Sequence, residues 1–372
     1  MARPDTMALF YQRKRQPHRK KSWLLFVALA NTILYTFFKN RRNKKRGVKN
    51  IMKKLIAFSC LLAMLASPAL ARAASSAADF PGPVYVPLQA ANAVEVFPQK
   101  RMFHNLTSAH YAGVSPNGKM LIAGSFTTGN VFLVNTKSGQ ILATFKIGKT
   151  VQGVVFTPDG RLAMAVEPNK GTVTVIDVKK RKVIKTVPVG NIPHNIGFSP
   201  DGHLAYVTLQ GGTGVAVVDM KTLRKLREIP APGLTGPHNL DFSSDGSVMW
   251  VRDIVGHVAA IDLKTGKELA LIPVGRGHAG IDVAPGGKYV LTGAIADDIV
   301  DVIDPKAFKV IKSIVVGKGP HGVRSSRDGR WAYTDVTGSS ELVVIDLKTL
   351  KIARKIPTAG GNPFWVAISG HP

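Results

Sequence analysis

NIPHNIGFSPDGHLAYVTLQGGTGVAVVDMKTLRKLREIP, Asn191 to Pro230, decides the fold. It holds four short runs, HNIGFS, LAYVTL, GVAVVD and KLREIP, separated by Asp-Gly, Gly-Gly and Lys-Thr turns. Val, Ile, Tyr and Thr dominate the runs and Gly, Pro and Asp bound them, which is the pattern of β-strands. No stretch of the body keeps a helical period. The unit recurs in degraded copies. The Asp-Gly or Asn-Gly turns fall at Asn117, Asp159, Asp201, Asp245 and Asp328, with Gly286 in the remaining copy, at gaps of 41 to 44 residues. A second marker, an apolar run ending in Asp or Asn, falls at Asn135, Asp177, Asp219, Asp262, Asp304 and Asp346, at gaps of 42 or 43. Two markers in one frame predict a β-propeller, in which about four strands recur every 40–45 residues.

Strand pairs near 84–97, 121–135, 162–177, 204–219, 248–262, 289–304 and 331–346 count seven blades. The first unit, VYVPLQAANAVEVF, lacks an inner strand. The chain closes with PFWVAIS (363–369), which matches PHNIGFS and has nothing after it. The C-terminal strand is therefore expected to complete the first blade and remove an open edge that would invite aggregation. The expectation is an all-β, seven-bladed β-propeller of four-stranded blades over residues 80–372.

The repeats resemble the YVTN family of β-propellers. LAYVTLQGGTGVAVVDMKTLRKLREIP and ELVVIDLKTLKIARKIPTAGGNP carry the likeness, which covers nearly all of residues 80–372. Such propellers include periplasmic binding proteins, quinoprotein amine dehydrogenase heavy chains and the haem d1 domain of cytochrome cd1 nitrite reductases. Fold alone does not choose among them. SAHYAGVSPNGKML is similar to the haem d1 domain locally, and that resemblance implies His110 as an iron ligand. The haem d1 domain has eight blades, against seven counted here, and no Cys-x-x-Cys-His haem attachment is present.

The net charge of +27 is uneven. Residues 1–72 hold 17 basic residues and one acid, Asp5, which leaves 33 basic and 22 acidic residues for the rest. From Met52 the chain reads MKKLIAFSCLLAMLASPALARAASSAADF: two lysines, an apolar core, then Ala-Leu-Ala and Ala-Arg-Ala. This is a bacterial secretory signal, expected over 52–73, with a periplasmic product. Residues 1–51 precede it with a second apolar run, WLLFVALANTILYTFF (23–38). They read either as a basic and apolar extension or as sequence upstream of a true start at Met52. The apolar run is short for a span, and no membrane span is expected in the mature chain. The lone Cys60 lies in the signal, so no disulfide forms within one chain.

Aligned on the SPDG turn, seven positions become equivalent: His110, Gln152, His194, His238, Ala279, His321 and Phe364, with His278 beside Ala279. In a propeller this position follows the connection between blades, where the connections crowd around the central channel. Five imidazoles are expected to converge there as binding residues, with His110, His194, His238 and His321 as candidate metal ligands. Copper, zinc or haem d1 are the candidate cofactors. Repetition alone also accounts for a histidine that hydrogen-bonds the next blade. Asp241, Asp282 and Arg324 share another repeat position and are candidates to orient the imidazoles, or to bridge blades. Arg252, Asp253 and Asp335 break the repeat on the next strands.

The sequence carries no P-loop, GxSxG, HExxH or EF-hand loop. The basic run KKRKVIK (179–185) reads as a solvated face, so nucleic acid is not an expected partner. The expected function is a monomeric, non-enzymatic binding or scaffold protein with a His-lined pocket at the channel mouth, which takes a protein partner or small ligand. The alternative is a metal- or haem-d1-linked redox or cofactor-assembly protein.

Overall fold

The computed structural model describes residues 79–369. The expected signal at 52–73 and the extension at 1–51 lie outside the described residues. Seven antiparallel sheets of four strands account for nearly all of the described chain. The stretch from Asn191 forms blade four, with strands Pro193–Phe198, Leu204–Leu209, Gly214–Asp219 and Arg224–Pro230 running from the inside outward. Its first turn is made by the sequence SPDG. Ser199 Oγ donates to Asp201 Oδ1 at 2.5 Å, and the same carboxylate oxygen accepts the His203 amide at 2.9 Å. Gly202 sits at φ 70°, where a side chain would be strained.

Burial follows position in the blade. The inner strand of blade four is buried throughout, and the outer strand buries only Ile229. Each sheet is sandwiched between its neighbours, so the inner runs are apolar on both faces. The buried clusters accordingly join facing sheets: Trp331, Tyr333, Leu342 and Val344 of blade seven pack on Val84, Val86 and Phe97 of blade one. In six blades the third and outer strands slip register at one equivalent place, as between Val217 and Val218. These bulges add local twist.

The ring closes as expected. Ala367–Ile368 is the inner strand of blade one and pairs with Val84–Leu88, with Val84 opposite Ile368 and Tyr85 opposite Ala367. Among the described residues no helix is long and apolar enough to cross a membrane.

Candidate functional site

The histidines stand where the inner strands begin, and the backbone there is irregular in a repeated way. In blade four, His194 and Asn195 together oppose the single residue Thr208. In blade seven, His321 and Gly322 together oppose Asp335. In blade two, His110 is the extra residue between the pairs Ala109–Ser125 and Tyr111–Gly124. A bulge re-aims side chains that a regular pleat would send to opposite faces. The histidine and the residue after it thereby both serve the centre of the ring.

The five imidazoles do converge. His194 stacks on His238 with ring centroids 3.7 Å apart, and His238 meets His278 edge-on at 4.9 Å. His278 meets His321 at 5.1 Å, and His321 meets Phe364 at 4.2 Å. Phe364 stacks on His110 at 4.3 Å, and Phe126 covers His110 at 4.8 Å. His110, His194, His238 and His321 are buried, and His278 is half-buried. His238, His278 and His321 form the tightest group, each offering a ring nitrogen within 4.8 Å of the others. His110 and His194 flank that triangle.

Burial sets the charge state. It pushes His110 and His194 down to about 3 and His278 to about 4, and it holds His238 and His321 well below the ordinary value. The rings disfavour one another's charge as well. All five are neutral at pH 7, the form in which imidazole binds a metal. Backbone oxygens also select tautomers. His194 Nδ1 donates to His238 O at 2.9 Å, and His321 Nδ1 donates to Phe364 O at 2.8 Å. Each such bond leaves Nε2 with its lone pair. Neither ring nitrogen of His238 has a hydrogen-bond partner among the described residues.

Below the imidazoles lies a layer that the sequence reading missed. The residue after each aligned position is Tyr111, Gly153, Asn195, Asn239, Gly280, Gly322 or Trp365. Tyr111 packs on Trp365 at 4.3 Å, Asn195 donates to Asn239 Oδ1, and Asn239 Nδ2 donates to Ala279 O at 2.9 Å. Arg324 stands over Trp365 at 4.8 Å. These side chains plug the channel. A cavity of about 20 Å³, lined by Tyr111, Asn195, Arg324 and Trp365 among others, is room for about one water. None of the five histidines lines it. The signal was available: one repeat position holds glycine in three copies and a polar or aromatic residue in the other four.

The other singled-out residues knit blades together. Asp241 Oδ2 accepts the Val283 amide at 2.6 Å, and Asp282 Oδ2 accepts the Ser325 amide at 2.8 Å. Asp282 and Arg324 form an ion pair at 3.8 Å. Arg252 is fully buried, and its Nη2 donates to Gly275 O at 2.7 Å and Gly277 O at 2.6 Å, immediately before His278.

With this geometry in place, the chain can be set beside known proteins. The sequence profile described as the cytochrome D1 heme domain matches residues 117–240 and 243–363, about two thirds of the chain. The chain belongs to the cytochrome D1 heme domain family. No curated protein matches the sequence. Among solved structures, this family member is similar to hydrazine synthase from Kuenenia stuttgartiensis, with a TM-score of 0.64 and 21% identity over 70% of this chain and 90% of that one. It is similar to the dihydro-heme d1 dehydrogenase NirN in complex with DHE, with a TM-score of 0.58 and 18% identity over 76% and 74%. It is also similar to a protein of unknown function from Desulfotomaculum acetoxidans, with a TM-score of 0.67 and 16% identity over 78% and 99%. Identities this low show a shared fold.

The family name raises the question of a macrocycle, and the residues of this member do not fit one. His110, the resemblance-implied iron ligand, is covered by Phe364 at 4.3 Å, Phe126 at 4.8 Å and Tyr111 at 5.2 Å. Its Nδ1 is within 3.2 Å of Gln89 Oε1. A flat tetrapyrrole needs about 7 Å between the groups on its two faces, twice an ordinary van der Waals separation. The rings at this mouth already contact one another.

Proposed function

We propose that this propeller is a secreted, periplasmic binding protein that holds one transition-metal ion at the channel mouth on His238, His278 and His321. The observation that carries the reading is the triangle of ring nitrogens within 4.8 Å. Zn–N bonds of about 2.0–2.1 Å in a tetrahedral site place nitrogens about 3.3 Å apart. Small rotations of the three rings close the difference. Three neutral imidazoles with an open fourth position suit zinc or copper and give calcium or magnesium nothing to prefer. The unpartnered nitrogens of His238 support the reading, because a buried imidazole with no partner costs about 1–3 kcal/mol. The role is binding, by a propeller that serves as scaffold.

A second reading rests on the family. NirN is described as acting on dihydro-heme d1, and a tetrapyrrole-handling role would require the aromatic cover of His110 to move aside.

One preparation tests both. The purified full-length protein is titrated with zinc and with copper, its metal content is measured by mass spectrometry, and its visible spectrum is recorded. The expected result is one ion per chain and a colourless zinc form. Each of His238→Gln, His278→Gln and His321→Gln should weaken binding by about 100-fold or more. Failure to take up either metal rules out the first reading. A copurifying chromophore with strong visible bands would establish the second.

A further inference from the structure

The outer strands carry a repeated feature that the channel mouth does not use. Where the outer strand slips register in six blades, the slip leaves one extra residue with none opposite it. That residue is Leu142, Ile184, Leu226, Leu269, Ile311 or Ala353, apolar in every case. A bulge re-aims its extra side chain out of the pleat. Ile184, Leu226, Leu269 and Ile311, on blades three to six, are exposed. Lysine on an edge strand guards it against pairing with another chain, and the outer strands of blades three, four and six carry lysine. That protection gives no reason for a large apolar side chain in water at one fixed place.

Charge singles out two of these blades. Residues 178–188 and 220–230, the outer edges of blades three and four, hold nine basic residues and one acid, Glu228. All nine are exposed. Their surplus is 8 positive charges, against 11 for the whole of residues 73–372. Of the nine, only Lys180 and Lys225 have a carboxylate within ion-pair distance, Asp177 and Glu228, among the described residues. The two edges are neighbours: Lys225 Nζ of blade four donates to Val189 O, just past the outer strand of blade three, at 2.6 Å. Blade seven is the contrast. Its edge carries Lys348, Lys351, Arg354 and Lys355, but its bulge holds the small Ala353, and its Arg354 is paired with Asp79.

We propose that the rim of blades three and four docks the molecule edge-on against a bilayer that contains anionic lipid. The lysines and arginines meet the headgroups. Ile184 and Leu226, 42% and 57% exposed, enter the boundary between headgroups and acyl chains. Each half supplies what the other lacks. Charge attraction acts over a Debye length, about 8 Å in 0.15 M salt, and brings the rim to the surface. Two aliphatic side chains then hold it there by burying apolar area. Other anionic partners fit less well. Neither segment has an aromatic side chain on which a base could stack or around which a protein contact could centre. The histidines lie on the inner strands, so the docking surface stands without the metal reading.

Lysine footprinting of the full-length protein tests this within one molecule. Acetylation at trace reagent is followed by mass spectrometry in the presence of phosphatidylcholine–phosphatidylglycerol vesicles, of pure phosphatidylcholine vesicles, or of heparin. With the anionic vesicles, Lys182, Lys185 and Lys221 should react at least about fivefold more slowly, while Lys348, Lys351 and Lys355 of blade seven keep their rates. Pure phosphatidylcholine should protect neither set. The double variant Ile184→Ser, Leu226→Ser changes only exposed side chains, so it should melt as the native protein does and lose most of the protection. Equal protection of the two lysine sets, or protection of neither, overturns the proposal. Protection that survives undiminished in the double variant overturns it as well. Protection by heparin with none by vesicles would assign the rim to a soluble polyanion and overturn the bilayer.

Discussion

Asp335 is fully buried opposite the bulge of His321 and Gly322, and burial pushes its carboxyl up to about 7. The imidazoles nearby are shifted the other way, so the two kinds of group tie stability to pH with opposite signs. For the imidazoles the folded value is depressed. Their contribution is complete above the unfolded value near 6.5 and is lost as pH falls toward about 4 for His278 and about 3 for His194. For Asp335 the folded value is raised from 3.8. Its contribution is complete below 3.8 and is lost as pH rises through about 7. Asp335 Oδ1 accepts the Gly322 amide at 2.7 Å, a role the amide oxygen of asparagine can keep. Asp335→Asn should therefore gain stability relative to the native protein by about 2 kcal/mol between pH 5 and pH 8. Urea unfolding at the two pH values measures this, and a pH-independent difference would show that the carboxyl is not the titrating group.

The inner strands set the spacing of the blades, and their glycines are the contact points. Gly153 donates to His194 O of the next blade at 2.9 Å. A Cβ on Gly153 would lie 2.8 Å from Asn195 Oδ1, 2.9 Å from Asn195 Cα and 3.0 Å from His194 O. Two of those three atoms are backbone and cannot swing away. Gly322 is as confined, with Asp335 Oδ1 and the Val366 amide both at 2.7 Å from a built Cβ. In four other blades the same repeat position holds Asn195, Asn239, Tyr111 or Trp365, and all four side chains are buried. Gly153→Ala should cost about 1–3 kcal/mol, the usual penalty of overpacking. Gly82→Ala, where nothing lies within 4 Å of the new methyl, should stay within about 0.5 kcal/mol of the native protein. Thermal melting of the two variants decides, and equal melting temperatures would mean that the blades can part at no cost. The Gly153 variant should also disturb His194, because the displaced atoms belong to its own strand.

Blade number, strand order and ring closure were all legible in the sequence, because turns are local: Asp201-Gly202 dictates its φ without help from any other blade. The convergence of the histidines was legible for the same reason, since a fixed place in the repeat is a fixed place in the ring. Which imidazoles form the triangle was not. His278 stands one residue off the repeat, and only inter-blade distances bring it to His238 and His321. The partner of Arg252 was equally hidden, because the carbonyls it meets lie in another blade. Closure makes the strongest demand at the level of the whole ring. Trp365, Val366, Ala367 and Ile368 are all buried, and they form the inner edge on which Val84–Leu88 pairs. Burying a large apolar side chain is worth about 1.5–3 kcal/mol, so this segment holds a substantial part of a typical 5–15 kcal/mol stability. Removing residues 363–372 would also strip Phe364 from between His110 and His321, and it would expose Val84–Leu88 as an unpaired apolar edge. The truncated chain is expected to aggregate during size-exclusion chromatography. Trp365→Ala, which leaves the strand pairing in place, should elute as the native protein does and lose about 3–5 kcal/mol. If the truncated chain instead eluted as the native protein does, six blades and a fragment would suffice for the ring, and the C-terminal strand would not be its closure.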